Sequence, residues 1–190
     1  MRFLVFLGVV FLAACSSGPP PIEWQTNAKA ALEIFQQRFL QGDTRAAELE
    51  FARAKAELSS TGNPALVARA ELIRCAVRAA SLEFDNCPGF EKLRADAGAE
   101  ELAYADFLSG KIERAGTDDP LSRLVSHGVR FNSGKATPEN ISAAIDIASA
   151  QGWRRPLLAW LGVQEKRAEA AGDREALERI RRRIGLTRGG

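Results

Sequence analysis

The stretch that decides the fold is QGDTRAAELEFARAKAEL, residues 41–58. It reads as the end of one helix and the start of another. Gly42 is a residue type that ends helices, and the Asp43 side chain can accept a hydrogen bond from the first backbone N–H groups of the next one. Beyond the turn, apolar residues recur at the spacing of one helix face: Ala47, Phe51, Ala54 and Leu58. The stretch therefore predicts two helices joined by a tight turn.

The same pattern continues along the chain, and no segment shows the sustained β-branched alternation typical of a strand. Three segments, Asn63–Pro64, Thr117–Pro120 and Thr137–Pro138, combine a capping residue with a proline at the first helical position. The predicted helices are 24–41, 44–60, 64–84, 88–95, 99–114, 120–132, 138–151, 156–171 and 174–184. The sequence thus predicts an all-α fold of about nine helices in antiparallel α-hairpins, because short loops make consecutive helices neighbours.

The predicted helix 64–84 carries apolar residues on two faces. One stripe runs from Leu66 to Phe84, and the other contains Leu72, Cys75, Ala79 and Leu82. A helix that is apolar on two faces is predicted to lie between neighbours on both sides.

The hairpin at residues 41–58 is similar to the middle of a tetratricopeptide repeat. After its Gly-Asp turn that family has a small, an aromatic and a small residue at fixed offsets, and Ala47, Phe51 and Ala54 occupy those offsets from Gly42. The segment AAGDREALERI, residues 170–180, echoes the turn but is one residue short, and the first-helix signature is missing around residues 31–38. The resemblance implies tetratricopeptide-like hairpins that bind proteins. An irregular α-solenoid or a bundle without repeats is the alternative.

The first 22 residues differ in character from the rest. Arg2 is the only charge before Glu23, and twelve uncharged, mostly apolar residues (3–14) follow it. Because a helix needs about 20 apolar residues to cross a bilayer, this run is too short and instead matches the apolar region of a secretory signal. It ends in LAAC, residues 12–15, and continues as SSGPPP, residues 16–21.

The LAAC sequence resembles the bacterial lipobox. The resemblance implies that residues 1–14 are a signal peptide that is removed, that Cys15 is acylated, and that residues 15–22 form a proline-rich tether to the membrane. Ser16, in place of an Asp after the cysteine, implies the periplasmic face of the outer membrane in a Gram-negative host. Residues 23–190 are predicted to form a single α-helical domain. The alternatives are a plain signal peptide or a buried N-terminal helix.

The predicted compartment also indicates the state of the two other cysteines, Cys75 and Cys87. In an oxidising compartment they are predicted to form a disulfide, and the alternative is two free, buried thiols. Without Arg2 the chain has 25 basic against 24 acidic residues. Such a balance gives no reason to expect a nucleic acid as partner.

Few residues suggest chemistry. His127 is the only histidine, so no metal site and no cofactor are predicted. The segment GVRFNSGKA, residues 128–136, fails as a phosphate loop because five residues separate its glycines and Ala136 replaces the required Ser or Thr. The carboxylates of Glu100 and Glu101 are adjacent and do not face each other on a helix. The sequence favours a protein that is not an enzyme.

Two features are candidate interaction surfaces. Trp153, Arg154 and Arg155 are expected in a loop, with Trp160 shortly beyond, and Trp and Arg are common at binding hot spots. The alternative is that Trp153 staples the helix start and Trp160 is core. The basic C-terminal segment ERIRRRIGLTRGG, residues 178–190, is either a contact with an anionic surface or a solvated helix face.

These expectations combine into one role. The chain is interpreted as an outer-membrane-anchored periplasmic lipoprotein that acts as a protein-interaction scaffold or assembly factor, with an envelope protein as partner. A groove lined by aromatic and Arg side chains would favour this reading. A cleft with converging carboxylates or His127 would favour an envelope enzyme, for instance one acting on peptidoglycan. A closed apolar cavity would favour a carrier of a small ligand or lipid.

Overall fold

A computed structural model describes residues 22–114 and 117–189. Cys15 and the predicted signal and tether up to residue 21 lie outside the described residues. Within the described ranges the chain is all-helical, without strands, as predicted, and has nine α-helices and one short 3₁₀ turn at Arg94–Asp96. The helices are α1 Glu23–Gln41, α2 Thr44–Ser59, α3 Pro64–Ala80, α4 Pro88–Glu91, α5 Ala99–Leu108, α6 Pro120–Asn132, α7 Pro138–Ala150, α8 Arg154–Ala171 and α9 Arg174–Gly189.

Consecutive helices pack as pairs around α3, which is the centre of the fold. The pairs are α1 with α2, α7 with α8, and α8 with α9, while α3 contacts α1, α2, α4, α5 and α6. One apolar cluster joins α1, α2 and α3, a second joins α3, α4 and α5, and the largest extends from α3 to α9. The prediction that this helix is buried on two faces is confirmed, because α3 contributes side chains to all three clusters.

Three of the predicted helix starts are confirmed by their caps. The side chain of Asp43 accepts a hydrogen bond from the Ala46 backbone, and that of Asp119 accepts one from Ser122. Thr137 forms a reciprocal capping box with its third helical residue. These caps satisfy backbone N–H groups that a helix end otherwise leaves without a partner.

Several predicted helix ends were wrong. The third helix ends at Ala80 rather than at residue 84, because Leu82 has a left-handed φ of 60°. The predicted helix 88–95 is divided into α4 and the 3₁₀ turn. The helix predicted to reach residue 114 ends at Leu108, two residues before Gly110 with its φ of 76°. Helix α9 continues past residue 184 to Gly189.

A disulfide joins Cys75 in α3 to Cys87, with the two Cα atoms 5.7 Å apart. Glu71, one turn before Cys75, is buried, and its carboxylate accepts a hydrogen bond from Lys55 at 2.6 Å. The same carboxylate fills the space that a Cβ on Gly89 would need. The bridge and Glu71 together hold the segment around α4 against α3.

Helices α3 and α6 approach each other unusually closely. A Cβ on Gly128 of α6 would overlap the carbonyl oxygen of Ala79 and lie 2.8 Å from its carbonyl carbon. Trp160 of α8 lies beside this crossing. Its indole N–H donates to the carbonyl of Ala80 at 3.0 Å, and its ring meets Phe131 edge to face. The end of α3 is thus a packing point for two other helices.

Candidate interaction cleft

A cleft of about 750 Å³ lies between α3, α5 and α6, and α1 contributes to its edge. Its floor is apolar and its rim is charged. The floor consists mainly of Leu72, Ile73, Ala76, Val77, Leu121 and Val125. A cleft of this size with an apolar floor and a few polar groups has the general character of a binding site.

One side of the rim is an ion pair between α3 and α5. The Nε atom of Arg69 donates to Oε1 of Glu101 at 2.7 Å, and Glu100 lies 3.8 Å from the same guanidinium. The hydrogen bond from Arg69 holds the pKa of Glu101 below its ordinary value, although burial opposes the shift. The Glu101 carboxylate is therefore charged at neutral pH.

The other side of the rim combines aromatic and cationic groups. The guanidinium of Arg114 stands 5.1 Å from the ring centre of Tyr104, which lies 5.7 Å from the ring of Phe107. Burial raises the pKa of Tyr104, so its hydroxyl is protonated at neutral pH. Ile112 leaves 42% of its surface exposed on the same rim. Tyr and Arg side chains over an apolar floor are typical of protein-binding surfaces.

Two of the three carboxylates that line the cleft are already engaged in hydrogen bonds, and the third, Glu100, is 92% exposed. Glu101 is paired with Arg69, and Asp119 caps α6 by accepting a hydrogen bond from Ser122 at 2.7 Å. His127 is not among the residues that line the cleft, and its pKa is lowered by burial and by Arg130 and Arg123. Within residues 22–114 and 117–189, no group of three or more His, Cys, Asp or Glu side chains could hold a metal ion. The lining of the cleft presents apolar side chains beside charged ones.

The predicted loop with Trp153, Arg154 and Arg155 is instead the start of α8. Trp153 is the residue before the first turn, and both arginines are helical. Arg155 donates to the Phe39 carbonyl at 2.7 Å and to Glu83 at 2.9 Å. Its guanidinium also bonds the hydroxyl of Thr44 and lies 4.1 Å from the centre of the Phe39 ring.

Arg154 contacts the same end of α1 as Arg155. It donates to the Gln41 carbonyl at 3.2 Å, so the two arginines bond carbonyl groups at the end of α1 that the helix itself leaves without partners. The pair therefore fastens α8 to the α1–α2 turn. This internal role was not predicted, since the partners lie more than 100 residues earlier in the chain.

Trp160 was predicted as a candidate surface residue, and the structure places it in the core. It is fully buried, with 0% of its surface exposed. The reason is the helical register: Trp160 follows Pro156 by four residues and faces α3 and α6. The alternative reading of Trp160 as core is the one that the structure supports.

The residues that form the cleft were mostly missed by sequence reasoning. In the sequence, Glu100 and Glu101 stood out only as adjacent carboxylates. No motif or spacing pointed to Arg69, Tyr104 or Arg114 as site residues. Arg69 lies on α3, whereas Glu101 lies on α5, 32 positions later, and Arg114 lies beyond the end of α5, so no local pattern reports that they meet.

No helix in the described ranges combines the length and apolar character needed to cross a membrane. Comparisons with models of protein families, with curated proteins and with solved structures found no match.

Proposed function

We propose that this protein is a lipoprotein of the periplasmic face of the outer membrane that acts as a scaffold or assembly factor by holding a segment of another envelope protein in the cleft between α3, α5 and α6. The observation that carries the proposal is the combination of an apolar floor with a rim of Tyr104, Arg114 and the Arg69–Glu101 pair. Such a surface recognises a chain segment that has both apolar and charged side chains.

The geometry favours a protein partner over the two alternatives. A carrier needs an enclosed apolar cavity, and this cleft is open along its rim. An envelope enzyme that uses a carboxylate as general acid needs one that exchanges a proton near neutral pH, and the pKa of Glu101 is shifted downward, away from that range. Asp119 is committed to capping α6.

The location is argued from the N-terminal sequence. The first described helix begins at Glu23, eight residues after Cys15. An extended proline-rich tether of that length reaches about 25 Å, so the domain would work close to the bilayer. Two or three acyl chains on Cys15 are sufficient for stable anchoring. Cys15→Ala should move the protein from the membrane fraction to the soluble periplasm, and unchanged fractionation would refute the acyl anchor.

The cleft is tested with a photo-reactive amino acid placed in living cells. We expect a defined crosslinked product when the group replaces Ile112 on the rim, and none when it replaces Leu186, which is 80% exposed on α9. In a second experiment the photo-reactive amino acid is placed at position 103 of the rim. An Ile112→Asp substitution should then abolish the crosslinked product, and Leu186→Asp should leave its yield unchanged. Equal crosslinking at both positions, or none at Ile112, would contradict a partner in the cleft.

A further inference from the structure

One face of α8 carries charged and apolar residues in an order that the packing of this helix within the domain does not require. Residues four apart on a helix lie above one another, so two parallel rows run along this face. One row is Arg154, Leu158, Gly162, Lys166 and Ala170, and the other is Arg155, Ala159, Val163 and Arg167. From end to end the face is therefore basic, then apolar, then basic again, and of the first basic residues Arg155 is already paired with Glu83 at 2.9 Å, which leaves Arg154 as the exposed cation at that end.

The apolar middle of this face is the floor of a groove. The groove has a volume of about 550 Å³ and lies between α8 and the end of α6 and start of α7. Phe131 and Ile141 form its far wall, and Leu158, Ala159 and Val163 line it from α8. A Cβ on Gly162 would meet no atom within 4 Å, so the middle of the groove is open.

Both ends of the groove are cationic. Lys166 and Arg167 line one end and are exposed. Leu158 also lines a second hollow of about 500 Å³, so the two hollows adjoin at this side chain, and Arg154 lines the second hollow together with Arg188 from α9. At 1.5 Å per residue, the basic ends lie about 20 Å apart along α8.

The carboxylates of α8 do not neutralise this face. Glu165 and Glu169 accept hydrogen bonds from Arg181 of α9, at 2.7 and 2.6 Å, on the side of the helix that packs against α9. Glu139 at the start of α7 is an acid close to the other end of the face: its pKa is lowered mainly by the hydroxyl of Thr137 and to a smaller extent by Arg167. Glu139 thus interacts with Arg167, one of the two cations at that end.

We propose that this groove is a second docking surface, distinct from the cleft between α3, α5 and α6, and that it binds an amphipathic helix of a protein partner with apolar residues at its centre and acidic residues toward both ends. Charge complementarity selects the acidic ends, and the apolar floor selects the centre. An anionic membrane fits less well, because a planar surface does not reach the apolar residues on the floor of a groove.

Binding here would let the protein hold two partners at once, one in the cleft and one on α8. The surface does not depend on the cleft, since the two share no lining residue. Loss of one therefore leaves the other intact.

The test is a selection from a displayed library of 18-residue helical peptides, with a fixed Leu and Ala stripe and with the remaining positions drawn from Glu, Lys and Ser. The bait is the whole mature chain. We expect enrichment of peptides with Glu at both ends. Their affinity should fall at least about tenfold for Gly162→Phe, which fills the groove, and for Lys166→Glu combined with Arg167→Glu.

The matched control is Gly185→Phe on α9, where a Cβ also meets no atom within 4 Å and the residue is exposed. It should leave affinity unchanged. The proposal is overturned if no peptides are enriched, if the enriched peptides carry Lys at the ends, or if Gly162→Phe and Gly185→Phe affect binding equally. Binding to phosphatidylglycerol vesicles that Gly162→Phe abolishes, without enrichment of acidic peptides, would likewise overturn it in favour of a membrane.

Discussion

Because α3 and α6 contact each other so closely, Gly→Ala is predicted to lower the stability of the protein at one helical position and to raise it at another. Gly128 and Gly162 both lie inside helices, and alanine is the better helix former by about 1 kcal/mol. Judged by helix propensity alone, Gly→Ala should stabilise the protein at both positions. The tertiary structure separates them, because Gly128 faces the carbonyl of Ala79 and Gly162 faces open space.

The magnitude at Gly128 follows from the overlap. A new Cβ would lie 2.8 Å from the Ala79 carbonyl carbon and closer still to the oxygen, and both atoms belong to backbone that cannot rotate away. Overpacking of this kind costs about 3 kcal/mol at the upper end of its usual range. After the gain in helix propensity, Gly128→Ala should destabilise the protein by about 2 kcal/mol, whereas Gly162→Ala should stabilise it by about 0.5–1 kcal/mol.

The assay is reversible urea and thermal unfolding followed by circular dichroism, with the disulfide kept oxidised. For a chain of this length, about 2 kcal/mol corresponds to a fall in Tm of about 4–8 °C for Gly128→Ala. The Tm of Gly162→Ala should rise by a few degrees. If Gly128→Ala is as stable as the parent protein, the close approach of α3 and α6 is not as described. If both variants are destabilised, the argument from the neighbouring atoms is wrong.

Three further predictions concern the contacts that hold the fold together. Replacing Cys75 and Cys87 by Ser should lower the free energy of unfolding by about 3 kcal/mol in urea titrations, because the bridge restricts the unfolded chain. Arg155→Lys should cost about 1–2 kcal/mol in the same assay, since an ammonium group cannot reproduce the planar hydrogen bonds of the guanidinium. Glu101→Gln should destabilise the protein at pH 7, and the difference in stability between the variant and the parent protein should vanish on acidification. The reason is that Arg69 lowers the pKa of Glu101 in the folded state. The stabilisation is therefore present above the ordinary pKa of 4.5 and is lost as the pH falls through the lowered pKa.

Each of these predictions has a result that would contradict it. Reductant that leaves the urea midpoint of the parent protein unchanged would refute the stabilising role of the disulfide. An Arg155→Lys variant no less stable than Arg183→Lys, a change at an exposed position of α9, would refute the fastening role of Arg155. If the difference in stability between the parent protein and the Glu101→Gln variant grows toward low pH, the sign of the pKa shift is refuted.

The helices and their starts could be predicted because their causes are local. Asp43, Asp119 and Thr137 satisfy N–H groups within three residues of themselves, so a short window of sequence contains the whole interaction. The pair Cys75–Cys87 was likewise predicted from the sequence, because the compartment that it implies is oxidising and the acylation expected at Cys15 leaves only two cysteines to pair. Helix ends were less predictable: Leu82 adopts a left-handed φ in the turn that leads back to the disulfide, and its residue type does not favour that conformation.

The candidate site could not be predicted, because its residues meet only after folding. Arg69 and Glu101 are 32 positions apart, and Arg155 and Phe39 are 116 apart. Trp153, Arg154 and Arg155 have a composition typical of binding surfaces, yet Arg154 and Arg155 close a helix end instead. Residue type gave no means of separating the two roles, since an arginine that bonds a carbonyl and one that binds a partner use the same donors.

By itself, therefore, the sequence determined that the chain is helical, where most helices begin and which residues face inward, and it supplies the whole argument for an acyl anchor at Cys15. These properties depend on periodicity, capping and short motifs, which act over a few residues. Only the tertiary structure decided that α3 is the centre, that Trp160 is core, and that a cleft and an α8 groove lie on the surface. Those features depend on which distant helices are neighbours, and that is set by the combined packing of all the apolar faces.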